Sequence, residues 1–113
     1  MEKFDLPVRS INRTCTSGDT SGIIVPDNMI AHVKEIEIDS AAISGNASTI
    51  TIQILDKYTP TGGSLTTKVR KQVSVDCGGV EHIDTKGDIP VFTRGDIRSN
   101  ISGPIVSLAY ALE

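Results

Sequence analysis

The sequence has no tryptophan, and aromatic residues make up 4% of it: Phe4, Tyr58, Phe92 and Tyr110. A core for this chain has to be built from Ile, Val and Leu. Cysteine is scarce too. Cys15 and Cys77 are the only two and form no Cys-x-x-Cys motif, so a dense disulfide framework is excluded. They read as a reduced, packed pair; both fall at strand ends, which leaves a bridge as the alternative. No apolar run approaches the roughly 20 residues of a membrane-spanning helix. The opening MEKFDLPVRS lacks the apolar stretch of a secretory signal. These absences argue against a membrane partner and for a chain made and kept in a cytoplasm, or released by lysis. Strong basic clusters are missing as well. The net charge is −3, and the pI is near 5.3. The one cationic run is Lys68-Val69-Arg70-Lys71, which alternation splits between two strand faces. Nucleic acid is therefore not an expected partner, and the run reads as a charged strand edge that discourages pairing.

Signatures of catalysis are absent from the sequence. It contains no Gly-x-Ser-x-Gly and no His-Glu-x-x-His. Gly62-Gly63 and Gly78-Gly79 lead into no helical pattern, so neither cradles a phosphate. His82 and Asp84 share a strand face, with His32, Asp76 and Cys77 as further conceivable donors. Their spacing matches no close-knit metal site. The reading is of a non-enzymatic protein without metal or cofactor.

What the sequence does have is two-residue periodicity. In TITIQILD (Thr49–Asp56), Ile50, Ile52 and Ile54 point one way, and Thr49, Thr51 and Gln53 the other. DKYTPTGGS follows as a loop, with Pro60 and the Gly62-Gly63 pair breaking the pattern. In Leu65–Cys77, the residues Leu65, Thr67, Val69, Val73, Val75 and Cys77 share one face. The two segments predict a hairpin with a long tip. Val33–Ser40 alternates through Ile36 and Ile38, with Met29–Lys34 as a candidate helical turn before it. Val8–Cys15 predicts an edge strand or an arm, and Arg13–Gly22 a polar loop. Downstream, Val80–Asp84 and Ile89–Thr93 are short strands around a turn, and Pro90 confines the second to an edge. Ile105–Leu112 is apolar on both parities and predicts a central strand covered on both sides.

The count is seven or eight short strands with a turn about every ten residues. This spacing predicts an all-β antiparallel β-sandwich or jelly roll. The length suits a single domain, 1–113, with residues 1–10 a candidate N-terminal arm.

Two places are candidate contacts. VFTRGDIR contains Arg94-Gly95-Asp96, a tripeptide that adhesion receptors recognise in some extracellular proteins. It reads first as a corner in which Gly95 supplies a positive φ. Arg94 and Asp96 then flank the turn as surface residues and possible partner contacts. Tyr58, on the DKYTPTGGS loop, is the exposed aromatic available to a ligand such as a sugar.

The closing third, DIPVFTRGDIRSNISGPIVSLAYALE, runs short strand, turn, short strand, Gly-Pro turn and apolar strand. With the polar MEKFDLPVRS opening, it resembles small all-β virion proteins of tailed bacteriophages: head decoration or cement proteins and jelly-roll tail modules. The resemblance implies a structural protein of the virion that self-associates, with a trimer favoured, and docks on a capsid or tail protein through its N-terminal arm and loops. Leftover outward apolar residues, such as Leu55, Ile105 and Ala109, would be covered by sister copies. A carbohydrate- or receptor-binding sandwich, using Tyr58 and the Arg94–Asp96 turn, is the alternative.

Overall fold

The computed structural model describes residues 7–43 and 49–113. Among them are eight strands and no helix: β1 Val8–Thr14, β2 Gly18–Ile24, β3 Ala31–Asp39, β4 Thr49–Tyr58, β5 Thr66–Asp76, β6 Val80–Val91, β7 Arg94–Ser99 and β8 Ile105–Leu112. They form two four-stranded antiparallel sheets, ordered β1-β8-β3-β6 and β2-β7-β4-β5. Pairing is nested: β4 with β5, β3 with β6, β2 with β7, β1 with β8. The chain is thus a long hairpin rolled up about its β4–β5 tip. The added pairs β3–β8 and β4–β7 close the roll. This is jelly-roll topology, and the all-β sandwich is the fold the alternation predicts.

The core is aliphatic, as the lack of aromatics requires. Ile23, Ile36, Ile38, Ile50, Ile52, Ile54, Ile97 and Leu108 are at most 1% exposed. Tyr110 joins them, at 9%. Ile, Val and Leu pack densely between sheets in few rotamers, so a sandwich of this size closes without large rings. β8 lies between β1 and β3, as predicted for a central strand. Its outward residues, Ile105, Ser107 and Ala109, are only half-buried, so it is not covered on both sides.

Several local expectations are corrected. Val8–Ser10 belong to β1 rather than to an arm; of the predicted arm, residues 1–6 lie outside the described residues. The Arg13–Gly22 stretch holds the end of β1 and most of β2 instead of a loop. Its Ser, Thr and Gly content hides a strand that pairs with β7. Met29–Lys34 is no helical turn: β3 starts at Ala31. The two short strands predicted around Thr85–Asp88 are one strand, β6, interrupted there. Val33 faces Ile89 while Glu35 faces Asp84, so β6 makes an excursion between them. Asp84 accepts from the Lys86 amide at 2.8 Å and Thr85 Oγ1 donates to Val33 O, which hold the excursion. β6 is a sheet edge, consistent with Pro90.

Bulges account for the failures of parity. On β5, Ile54 faces Lys71 and Leu55 faces Val69, leaving Arg70 as the extra residue. The bulge turns Arg70 inward and puts Val69 outside at 43% exposure. The shared face predicted from Leu65 to Cys77 therefore ends at Arg70. Leu55, expected to be left over for a sister copy, is 0% exposed within a single chain.

Candidate functional site

The VFTRGDIR stretch is organised differently from its sequence reading. β6 ends at Val91, the reversal takes place at Phe92-Thr93, and Arg94-Gly95-Asp96 opens β7. Gly95 lies in the strand and is not among the glycines with positive φ. Its lack of a side chain serves close packing instead. A Cβ there would stand 3.2 Å from Val91 Cγ1, and one on the facing bulge residue Gly22 would stand 2.5 Å from the Gly95 carbonyl oxygen.

The reversal is tied down by a buried carboxylate. Asp56 is on the inward parity of β4 and is 0% exposed. Its Oδ1 accepts from the Phe92 and Thr93 amides at 3.2 and 3.5 Å. Its Oδ2 accepts from Arg70 Nη2 at 2.8 Å and Nε at 3.3 Å. The Arg70 guanidinium also lies over the Phe92 ring, 5.0 Å from its centroid. The β5 bulge thus supplies the cation that a buried anion needs, and the anion supplies the acceptors that two turn amides need.

On the outer face of the β2-β7-β4-β5 sheet, five charged side chains form a connected network. Lys57 Nζ lies 2.7 Å from Asp19 Oδ2 and 3.2 Å from Asp96 Oδ2. Arg94 Nη2 is 3.2 Å from Asp96 Oδ2 and Arg98 Nε 2.7 Å from Asp19 Oδ1. Hydrogen bonds from Arg98 and then Lys57 hold the Asp19 carboxyl down at about 2. Asp96 is 4% exposed. The structure therefore brings Arg94 and Asp96 together as an ion pair on a strand; they do not flank an exposed turn. Tyr58 is also relocated: it is the last residue of β4, half-buried and paired with Thr66. Among the described residues, Phe92, 45% exposed, is the aromatic that stands out, and being placed by the turn after β6, it carries no signature in the sequence.

Exposed apolar side chains are distributed unevenly. Among the described residues, the large ones are Val8, Ile24, Leu65, Val69, Val80 and Phe92. All lie on, or directly beside, the four edge strands. Five belong to one end of the roll. Val8 opens β1, Ile24 closes β2, Leu65 and Val69 are at the start of β5 and Phe92 follows β6. That end carries the loops β2–β3, β4–β5 and β6–β7. There the Val25 N to Thr93 O bond of 3.0 Å and Asp56 hold the β6–β7 turn, through which the chain passes from one sheet to the other. Val80 alone marks the opposite end. Both cysteines are free, Cys15 buried and Cys77 half-buried. No group of three or more His, Cys, Asp or Glu able to hold a metal occurs among the described residues.

No protein-family model matches the chain. No curated protein matches it either. A solved structure, described as a crystal structure of PirA, matches with a TM-score of 0.50 at 18% sequence identity, over 90% of this chain and 92% of that chain. At this identity the likeness concerns the fold: a second chain, nearly co-extensive with this one, shares its general arrangement.

Proposed function

We propose that this protein is a non-enzymatic structural module that associates with copies of itself and docks on a larger assembly, with a virion capsid or tail protein as the setting its sequence resemblance suggests. One observation carries the reading: among the described residues, five of the six exposed large apolar side chains gather at one end of the jelly roll. Scattered exposed apolar residues are ordinary, but residues collected at one end are characteristic of a contact surface. The chain before Val8 leads into this same end, which fits docking by an N-terminal arm together with loops. Self-association, with a trimer favoured, would cover the apolar edge positions. Leu55 is already covered within one chain, so the contact would rest on Ile24, Leu65, Val69 and Phe92 instead. The reading as a glycan or receptor binder through Tyr58, Arg94 and Asp96 has less support, since Tyr58 is half-buried and Asp96 is paired and buried.

Size-exclusion chromatography with light scattering tests the proposal on the full chain. The expected result is a concentration-dependent oligomer that Ile24→Ser with Leu65→Ser converts to a folded monomer. A protein that stays strictly monomeric at high concentration, and does not co-sediment with particles, overturns the reading.

A further inference from the structure

Charge changes sign along the edge strand β5. At its start, Leu65 is 63% exposed and Val69 is 43% exposed. Lys68 and Lys71 are exposed beside them. At its finish, Asp76 and Glu81 are exposed on either side of the Cys77-Gly78-Gly79 turn. Asp39, half-buried, faces Val80 across the β3–β6 ladder. Among the described residues, Asp39, Asp76 and Glu81 enter no ion pair, and neither do Lys68 and Lys71. The β5 side of the apolar end therefore carries unpaired cations, and the opposite end carries unpaired carboxylates.

The acidic end is also concave. A cleft of about 270 Å³ opens at the β5–β6 turn, lined by apolar Ile38, Val75 and Val80 and by the carboxylates Asp76 and Glu81. No cation lines it. The turn is held in place from behind. Ser40 Oγ accepts from the Gly78 and Gly79 amides at 3.1 and 3.3 Å, and the Ser40 amide donates to Gly79 O at 2.8 Å. Nothing lies within 4 Å of where a Cβ would stand on either glycine, so the cleft is open to a side chain from outside. Val80, 58% exposed, is the one large exposed apolar residue at this end among the described residues.

The two ends complement each other in charge and in shape. Pairing two apolar ends with each other would bring Lys68 and Lys71 of both copies together, and like charges across a contact disfavour it. Seating the apolar end of one copy on the acidic end of another sets lysines against carboxylates instead. Leu65 then has an apolar-walled cleft to enter, next to Val80. A contact of this kind is heterologous. It closes into a ring, a trimer included, when the rotation between copies permits, and otherwise runs on as a filament.

We propose that copies of this chain join head to tail, with residues 65–71 of one copy on the Asp39, Asp76, Val80 and Glu81 end of the next and Leu65 in the cleft at Gly78-Gly79. The inference rests on the reading of the apolar end as a contact surface, and it adds the surface that receives that end.

Size exclusion with light scattering on the full chain tests it, with circular dichroism to confirm that each variant is folded. Raising salt from about 0.1 M to about 1 M shortens the screening length from about 10 Å to about 3 Å and should weaken assembly of the parent chain. Variants at the acidic end are decisive, because they lie away from the apolar patch. Gly79 is outside the left-handed region, so Gly79→Leu fills the cleft without backbone strain. Asp76→Lys with Glu81→Lys reverses the charge there. Each should raise the dissociation constant about tenfold or more, as loss of a central contact predicts. Lys68→Glu with Lys71→Glu should do the same from the other end. Mixing the two charge-reversed proteins in equal parts should restore assembly, since opposite charges then face each other again. An assembly that Ile24→Ser with Leu65→Ser disperses, but that both acidic-end variants leave intact, overturns the head-to-tail contact and leaves the docking reading standing. A mixture that fails to reassemble also overturns the contact. A parent chain that stays monomeric overturns both readings.

Discussion

Replacing Arg70 by alanine tests whether the interior of the roll is dry around Asp56. The Asp56 carboxylate is fully buried, and Arg70 is its cation, at 2.8 Å, with the guanidinium side chain 16% exposed. Removing one partner of a buried pair costs roughly 3–5 kcal/mol, because the remaining charge is left without compensation. The stacking on Phe92 adds about 0.5–1 kcal/mol to the loss. Partial solvent access at Arg70 places the sum toward the lower part of that range, about 3 kcal/mol. In urea unfolding with a slope of about 1–3 kcal/mol/M, the midpoint should fall by about 1–3 M. The double replacement Asp56→Leu with Arg70→Met refines the test. It removes the uncompensated charge but leaves the Phe92 and Thr93 amides without acceptors, at about 1–3 kcal/mol each. The double variant should therefore stay destabilised and should not return to the parent midpoint. A loss below about 1 kcal/mol in Arg70→Ala, the range of exposed ion pairs, would refute the argument that Asp56 depends on Arg70.

Three further outcomes are expected. Ser40 is 1% exposed, and its Oγ accepts from the Gly78 and Gly79 amides at 3.1 and 3.3 Å. Ser40→Ala should cost about 1–3 kcal/mol and speed amide exchange at Gly78 and Gly79 specifically. Gly22→Ala should be far worse than Gly95→Ala in thermal unfolding, since the first methyl meets a backbone oxygen at 2.5 Å and the second a Val91 methyl at 3.2 Å; the reverse order would refute the assigned packing. Asp19, whose folded-state pKa is lowered from 3.8 to about 2, contributes stability that is present above about pH 4 and lost as pH falls toward 2. Asp19→Asn should flatten that part of the acid limb, as read by unfolding midpoints across the pH series.

The hairpin of Thr49–Asp56 with Leu65–Cys77, the edge position of Pro90 and the central place of Ile105–Leu112 were all legible in the sequence. Each rests on local alternation or on a residue that is chemically restricted. β2 was hidden, because Gly-Asp-Thr-Ser-Gly reads as a loop until β7 provides its partner. The Arg94–Asp96 site was misread for a related reason. Glycine serves a turn or a close approach equally well, and only the facing Gly22 and Val91 decide between them. The apolar end was not legible at all, since Val8, Ile24, Leu65 and Phe92 are far apart in the chain. By itself the sequence determined strands, and so an all-β sandwich with an aliphatic core, because side-chain alternation is a property of neighbours along the chain. The tertiary structure alone decided strand order, the Arg70 bulge and which residues meet at an end or across a face, because these depend on pairings between segments that carry no local code for one another.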